Sequence, residues 1–240
     1  MKPNITKSQL YEHVSRIGKA LSSPKRLELI ELLAQGEKTV ETLAAQARID
    51  MRLASAHLRA LREARLVETR RAGKFINYRL SGEDVGRLWV NLREVAEEHL
   101  VELRIALAQM TAAPDALSSE SRASLLAKAR SGDVLVIDVR PAAEYEAGHL
   151  PFARSMPLAE LEKRLADLPA DKEIVAYCRG PFCLMSDEAV RLLRQRGYTA
   201  HKISDGVSEW LASGLPIERQ PPVPDTDGEQ LRDIHSGERP

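Results

Sequence analysis

The sequence is poor in several features that would identify its class at once. It has only 2 cysteines in 240 residues, too few for a disulfide framework, so we expect a reducing compartment and a cytoplasmic location. It lacks an apolar run of about 18 residues, so no membrane-spanning helix and no membrane partner are expected. The N-terminal segment lacks the apolar core of a signal peptide. Its 43% hydrophobic and 29% charged content is ordinary for a globular chain of one or two domains.

The net charge is zero, but the charges are unevenly distributed. Residues 1–113 carry +5 and residues 114–240 carry −5. The basic excess is largest between Arg48 and Arg79, where nine Lys or Arg residues accompany three acidic residues. Positive charge concentrated within a folded segment indicates a polyanionic partner, although a solvated basic surface has the same composition.

The pattern of apolar residues in the first half predicts four short helices followed by a β-hairpin. The helices are expected to begin where an amphipathic pattern, a first-turn proline or a capping side chain occurs, at Gln9, Pro24, Thr39 and Asp50. Two alternating stretches, Val67–Arg71 and Phe75–Leu80, form the hairpin. This order predicts a mainly-α helix–turn–helix unit with a wing, whose second helix of the pair enters the DNA major groove.

Three stretches resemble the motifs of the ArsR/SmtB winged-helix repressors: Leu21-Ser-Ser-Pro24-Lys-Arg26-Leu, His57-Leu58-x-x-Leu61-x-x-Ala64 and Arg70-Arg71-x-Gly73-Lys74. The resemblance covers roughly residues 8–112. It implies a dimeric repressor that reads a palindromic operator in double-stranded DNA. The expected DNA contacts are Arg52, Ser55, His57 and Arg59 in the groove, and Arg71 and Lys74 on phosphates at the wing. A structural hydrogen-bonding role explains His57 equally well.

A last helix of this domain is predicted over residues 83–111, where apolar side chains recur every three or four residues. In the family this helix packs against its twin, so the resemblance implies a homodimer through it. His99 lies on the apolar stripe and is expected to be an interface residue. The third helix has no cysteine, and Asp84, Glu98 and His99 do not have the spacing of the family's zinc site. We expect no metal and no cofactor.

A change of composition separates this unit, residues 1–113, from a second one. Residues 114–122 form a short linker containing proline and serine. Strand and helix periods then alternate over residues 123–219, which predicts an α/β domain with a central parallel sheet. Residues 220–240 are polar and proline-rich, and we expect a disordered tail.

The strongest chemical feature of the second domain is the stretch from Glu173 to Ser186. A short apolar strand ends at Tyr177, Cys178 begins a tight loop, and a helix follows. Backbone N–H groups of such a loop and a helix N-terminus both lower the pKa of a thiol, and Arg179 adds a cation. We therefore expect Cys178 to be a nucleophile; a small buried hydrophobic residue is the alternative.

Three ordered stretches resemble the rhodanese (sulfurtransferase) family: residues 134–151 with Asp138-Val-Arg140 and Gly148-His149-Leu-Pro, the loop of Cys178, and residues 204–216. Asp205 departs from the pattern, since glycine is common there. The resemblance implies that Cys178 takes a sulfane sulfur from a donor, becomes a persulfide and passes the sulfur to a thiol acceptor. The short loop has the size found in sulfur-handling members and lacks the closing arginine of the related phosphatases.

The predicted roles follow from the loop and from this resemblance. The catalytic residues are expected to be Cys178, Arg179 and Cys183. The residues expected to hold the sulfur or an anion are Gly180, Pro181, Phe182 and Ser186. Four further residues are expected to support the fold near the site: Asp138, Arg140, Glu144 and His149.

Cys183 is a second departure, because many rhodaneses have no thiol at that position. A second thiol can attack the Cys178 persulfide and form a disulfide or polysulfide bridge. The fusion of the two domains and the paired thiols predict a transcriptional regulator that senses sulfur or redox state. Two alternatives stay open: an active thiosulfate-type sulfurtransferase whose winged helix serves only autoregulation, and a sensor that captures arsenical or selenium oxyanions in a non-catalytic loop.

Overall fold

The computed structural model describes residues 6–110 and 117–219 and contains two sheets, each accompanied by its own helices. The first sheet is antiparallel with the strand order β1-β3-β2. The elements of this half are α1 (Lys7–Leu21), α2 (Pro24–Ala34), β1 (Lys38–Thr39), α3 (Val40–Gln46), α4 (Met51–Glu63), β2 (Val67–Ala72), β3 (Phe75–Leu80), α5 (Glu83–His99) and α6 (Val101–Met110).

Local signals explain where these helices begin. Pro24 occupies the first turn of α2. The Thr39 side chain accepts the Thr42 N–H at 3.3 Å before α3, and Asp50 Oδ1 accepts the Leu53 N–H at 2.9 Å before α4. The apolar faces of α2, α3 and α4 meet in one core that includes Trp89 of α5. The predicted helix–turn–helix with a β-wing is therefore confirmed.

The predicted single helix over residues 83–111 is wrong, because the chain forms two helices that meet at Leu100. Leu100 has extended backbone angles, φ −103° and ψ 102°, and its carbonyl oxygen accepts the N–H groups of Leu103 and Arg104. The bend turns α6 towards the second half, where Leu107 lines a cavity with Cys183. Packing between distant parts of the chain therefore prevails over a local apolar repeat.

The second half contains a parallel sheet, which confirms the prediction, and its strand order is β5-β4-β6-β7. Its elements are α7 (Arg122–Ser131), β4 (Val134–Asp138), α8 (Ala142–Ala147), β5 (Arg154–Ser155), α9 (Leu158–Leu161) continued by a 3₁₀ turn (Glu162–Asp167), β6 (Glu173–Tyr177), α10 (Met185–Gln195), β7 (Ala200–Lys202) and α11 (Val207–Ala212). None of the helices described here or above is long and apolar enough to cross a membrane.

The predicted linker joins the sheet at its edge. The Ser118 N–H donates to the Lys202 carbonyl oxygen at 2.7 Å, which adds residues 117 and 118 beside β7. The first part of the linker and the tail predicted over residues 220–240 lie outside the described residues. The exact domain boundaries stay a prediction.

The two halves pack together through buried polar contacts. Gln35 Oε1 accepts a hydrogen bond from Arg140 Nη1 at 2.9 Å, and Lys38 Nζ lies 3.3 Å from Glu144 Oε1. Arg93 Nη1 of α5 lies 2.5 Å from Glu209 Oε1 of α11. Buried polar groups require such partners, so these pairs fix how the halves sit against each other.

Candidate active site and nucleic-acid interface

Alternation along β6 decides which way Cys178 faces. Ile174 and Ala176 pack on the α10 side of the sheet, whereas Val175 and Tyr177 pack on the opposite side with Trp210. Because successive side chains of a strand point to opposite faces, the next residue, Cys178, joins the α10 side. Its side chain is only 2% exposed.

The loop and the first turn of α10 bring two groups close to the Cys178 sulfur. Cys178 Sγ lies 3.2 Å from the Cys183 carbonyl oxygen and 3.3 Å from Ser186 Oγ, in the first turn of α10. A turn hydrogen bond from the Cys183 N–H to the Gly180 carbonyl oxygen, 3.0 Å long, closes the loop. Both cysteines are free thiols.

The hydrogen-bond donors around the loop stabilise a thiolate on Cys178. A hydrogen bond from the Cys183 thiol, followed by hydrogen bonds from Ser186 and Gly180, lowers the pKa of Cys178 from 9.0 to about 6, although burial opposes the shift. The same contact raises the pKa of Cys183, because its thiol is the donor and a second negative charge would lie beside the first. The pair therefore holds one negative charge, on Cys178.

We expect the rate at which iodoacetamide alkylates Cys178 to rise with pH through about 6 and to be constant above about 7. Only the thiolate reacts, so the profile follows its deprotonation. Ser186→Ala removes one donor and should move the midpoint upward. Peptide mass spectrometry distinguishes Cys178 from Cys183, and a midpoint near the ordinary 9.0 would contradict the assignment.

A cavity of about 260 Å³ lies over the loop and is closed partly by the first half of the chain. The loop contributes Gly180, Pro181, Cys183 and Ser186, and β7 with the following residues contributes Lys202, Ile203 and Ser204. Glu97, Leu107 and Ala108 of α5 and α6 form the opposite wall. A molecule that approaches Cys178 through this cavity would therefore contact Cys183 and residues of both domains.

Arg179 points away from this cavity and towards the first half. Its guanidinium donates two hydrogen bonds to Glu144, of 2.7 and 2.9 Å, and Lys38 reaches the same carboxylate. Burial raises the pKa of Glu144, but the hydrogen bond from Arg179 and the charge of Lys38 outweigh it and hold the pKa below its ordinary value.

Burial and the nearby Glu209 carboxylate raise the pKa of Glu31 to about 7.

The residues beneath the loop form a satisfied buried network. Arg140 is fully buried, and its guanidinium donates to both Asp138 oxygens, to Gln35 and to the Gly148 carbonyl oxygen. The Tyr177 hydroxyl donates to Asp138 Oδ2 at 2.6 Å. Glu144 belongs instead to the neighbouring group with Arg179.

His149 lies at the edge of this region. Its ring stacks on Tyr145, with the ring centres 3.7 Å apart, and Nδ1 lies 2.8 Å from the Tyr145 carbonyl oxygen. Nε2 lies 3.5 Å from Glu218. These contacts tie the start of the second domain to residues near its end.

Two glycines allow the loop to approach its neighbours closely. A Cβ at Gly206 would lie 2.5 Å from the Arg179 carbonyl oxygen and 2.7 Å from that of Cys178. Gly180 has a φ of +142°, and a Cβ there would lie 3.0 Å from the Glu209 carboxylate. Any side chain at either position would displace the loop.

Phe182, predicted to help hold an anion, lies elsewhere. Its ring packs edge-on against Trp89, with centroids 6.1 Å apart and an interplanar angle of 75°. The Arg93 guanidinium lies 5.9 Å from the Phe182 ring centre. Among the residues that the structure describes, Phe182 belongs to the core of the first half and does not line the cavity.

The predicted DNA contacts are on α4 and the hairpin. Arg52, Ser55 and Arg59 are exposed at helical spacing on one side of α4, whereas His57 is half-buried. Arg71 and Lys74 are exposed at the hairpin turn, where Arg71 Nε donates to the Gly73 carbonyl oxygen. The positively charged face is thus separate from the Cys178 cavity.

Comparison with known proteins decides the family. The family model for bacterial regulatory proteins of the arsR family matches residues 23–69, and that for the rhodanese-like domain matches residues 121–213. The HTH-type transcriptional regulator Rv0324 of Mycobacterium tuberculosis is 44% identical over 217 residues, which cover 90% of this chain and 95% of that protein. The chain belongs to the ArsR family of transcriptional regulators and carries a rhodanese-like domain.

Two further relatives each match one half of this ArsR-family regulator. A sulfurtransferase of Allochromatium vinosum is 34% identical over 102 residues, covering 42% of the chain and 92% of that protein. The transcriptional repressor SmtB homolog of Synechocystis is 35% identical over 102 residues, covering 42% of the chain and 74% of that protein. Within the described residues of the regulator, no group of three or more His, Cys, Asp or Glu side chains is placed to hold a metal ion.

Several residues near the Cys178 loop of the regulator were not predicted from the sequence. Lys38, Trp89, Arg93 and Glu209 all contribute to it or to its contact with the DNA-binding half. Glu209 had a usable signal, because it precedes a tryptophan within the stretch that resembles the rhodanese family. The other three lie in the first half and carry no pattern that relates them to Cys178.

Proposed function

We propose that the protein is a transcriptional repressor whose operator binding responds to sulfane sulfur on Cys178. The observation that supports this most is the low-pKa, buried Cys178 beside the Cys183 thiol, in a loop that packs against the DNA-binding half. A regulator that binds chromosomal DNA works in the cytoplasm, where thiols stay reduced until a sulfur donor reacts.

The proposed chemistry needs no cofactor. The Cys178 thiolate attacks the outer sulfur of a donor such as thiosulfate, whose S–S bond breaks and releases sulfite, and Cys178 becomes a persulfide. A small thiol acceptor then takes the outer sulfur, which restores the Cys178 thiolate. Alternatively, the Cys183 sulfur attacks Cys178 Sγ, forming a disulfide and releasing the outer sulfur as hydrosulfide with the proton of Cys183.

The cavity favours a small donor. Its volume of about 260 Å³ and its walls from two domains fit an inorganic or low-mass persulfide better than a protein persulfide. We expect Ser186 and the backbone N–H groups of Gly180 and Ser186, which donate to Cys178, to donate to the persulfide as well. Arg179 acts through Glu144 to hold the loop rather than by touching the donor.

The DNA-binding form is proposed to be a homodimer. Leu88, Leu92 and Val95 of α5 are exposed large apolar side chains, and Leu10, Tyr11 and Val14 of α1 are exposed as well. Such faces are normally covered in a soluble regulator, and a second copy is the partner that the family implies. The dimer would present two copies of α4 to successive half-sites of an operator.

Replacing Arg52 and Arg59 together by alanine should weaken operator binding by about 1–3 kcal/mol for each arginine. Both side chains are exposed on α4, where they can reach base edges and phosphates. Fluorescence anisotropy at fixed salt measures the affinity. Lys163→Ala combined with Arg191→Ala, at two exposed positions of the second half, removes the same two charges and should bind normally; an equal loss in that control would contradict the assignment.

The experiment that tests the proposed function compares one protein in two sulfur states. The full-length protein is exposed to thiosulfate or polysulfide, and the peptide with Cys178 and Cys183 is analysed under non-reducing conditions. The operator affinity of the loaded and reduced forms is then measured side by side. Added sulfur on Cys178 with altered affinity supports the proposal, and identical affinity of the two forms rejects it.

A second function, sulfur transfer to a thiol acceptor, is favoured by the similarity to the Allochromatium sulfurtransferase. Steady turnover of thiosulfate with cyanide would support it. The oxyanion-sensor alternative is not proposed, because the nearby cations are already bonded. Lys202 lies 2.6 Å from both Asp187 oxygens, and Arg179 is bonded to Glu144.

A further inference from the structure

We propose that helix α5 of the DNA-binding half positions the Cys178 loop, through Trp89 on Phe182 and Arg93 on Glu209, so that operator binding and Cys178 reactivity influence each other. This inference rests on the proposed function for one point only, the identity of the signal, which is sulfane sulfur on Cys178. The physical contact is independent of whether sulfur is the ligand.

The first contact is apolar. Phe182 directly precedes Cys183, so it cannot shift without moving the second thiol of the pair. Its ring meets the edge of Trp89, which is 7% exposed and packs in the core with Leu33 and Leu61. A side chain of the reactive loop is thus part of the core that supports the helix–turn–helix.

The second contact is ionic. Arg93 and Glu209 are 4% and 3% exposed and form a close buried ion pair between α5 and α11. Glu209 Oε2 also accepts the Gly206 N–H at 2.7 Å. Gly206 lies against the carbonyl oxygens of Arg179 and Cys178, so a short chain of contacts joins Arg93 to the backbone at the nucleophile.

The two faces of α5 have different partners. Trp89 and Arg93 are buried against the loop and the core, whereas Leu88, Leu92 and Val95 are exposed on the other side. The latter are the residues assigned above to the second copy of the protein. A shift of α5 caused by the loop would therefore change the dimer geometry, which sets the spacing of the two α4 helices.

The sulfur site leaves little room for a change without such a shift. Cys178 is 2% exposed, and its sulfur already lies 3.2 Å from the Cys183 carbonyl oxygen. An added sulfur atom, or a bond to Cys183 with its fixed geometry, has to be accommodated by movement of the loop. Phe182 is the loop residue that carries this movement to α5.

Coupling between two sites is reciprocal, because each ligand shifts the same equilibrium. Operator DNA should therefore change the reactivity of Cys178 even when no sulfur donor is present. We expect the rate of Cys178 alkylation by iodoacetamide to change at least about fivefold when the full-length protein is bound to its operator duplex. The duplex is first selected from a random pool with the wild-type protein.

The test follows alkylation of Cys178 by peptide mass spectrometry, with and without DNA, from about pH 5 to about pH 9. Phe182→Ala should abolish the effect of DNA, and Phe182→Tyr should retain it. Phe182→Leu is a second variant that removes the aromatic contact with Trp89 but keeps more apolar volume than alanine does. Phe152→Ala is the matched control, since Phe152 is an exposed phenylalanine of the same domain.

The outcomes separate this inference from the proposed function. If DNA leaves the alkylation rate of the wild-type protein unchanged, or if every Phe182 variant keeps the full effect, the coupling through α5 is rejected. If Cys178 takes up no sulfane sulfur but its alkylation responds to DNA through Phe182, the sulfur signal is wrong and the coupling stands.

Discussion

Cys178→Ser is expected to abolish sulfane sulfur uptake and the response of operator binding to sulfur donors. A serine hydroxyl at this site lacks the nucleophilicity of the thiolate that the Cys183 and Ser186 contacts stabilise. The change is nearly isosteric in a buried position, so the affinity of the untreated protein for its operator should stay within about twofold of wild type. Mass spectrometry and anisotropy on the same samples measure both effects.

Cys183→Ser is the informative companion of this variant. It keeps the nucleophile but removes the second thiol, so sulfur should accumulate on Cys178 and no internal disulfide should form. If operator binding still responds to sulfur donors in this variant, the Cys178 persulfide alone is the signal. If the response is lost, the signal is the disulfide between Cys178 and Cys183. A sulfur response that persists in Cys178→Ser would show that Cys178 is not the sensor.

Arg140→Met is expected to destabilise the rhodanese-like domain by about 3–5 kcal/mol, the cost of removing one partner from a buried ion pair. Arg140 and Asp138 are both fully buried, and among the residues that the structure describes the substitution leaves the Asp138 carboxylate with the Tyr177 hydroxyl and the backbone N–H of residue 140. The variant also removes the hydrogen bond to Gln35 of the DNA-binding half. Urea unfolding followed by circular dichroism measures the loss.

Two further variants show whether burial of the charge is the cause. Arg196→Ala breaks a pair with Glu162 whose partners are 48% and 64% exposed, and should cost less than about 1 kcal/mol. Arg140→Met combined with Asp138→Leu removes both charges and should recover part of the stability. A loss in Arg140→Met as small as that of Arg196→Ala would contradict the account.

The sequence was sufficient for features that depend on neighbouring residues. The proline and capping residues located the first helices, and the short apolar strand before Cys178 placed the thiol at the start of a loop and helix. The order of strands and helices predicted the parallel sheet. In each case the interactions that decide the structure lie within a few residues or follow one regular period.

The contacts between the domains were beyond prediction, because they join residues far apart in the chain with no shared period. Lys38 meets Glu144 and Trp89 meets Phe182, and nothing in either local sequence specifies the other. Arg179 was expected to hold an anionic donor, yet its guanidinium is bonded to the Glu144 carboxylate and does not line the cavity. The bend at Leu100 has the same origin, since an apolar repeat does not record what α6 will pack against.

The buried pair of Arg93 and Glu209 restricts how the two domains can be exchanged or separated. A chimera that joins this winged helix to another rhodanese-like domain would leave the Arg93 guanidinium with Glu97 of its own helix but without its partner across the interface, unless the new domain carries an equivalent of Glu209. Likewise, a fragment that ends before the second domain would expose Trp89 and Arg93 to water. Variants designed to respond to a different chemical signal should therefore keep α11, Gly180 and Phe182, and change only the other residues that line the cavity.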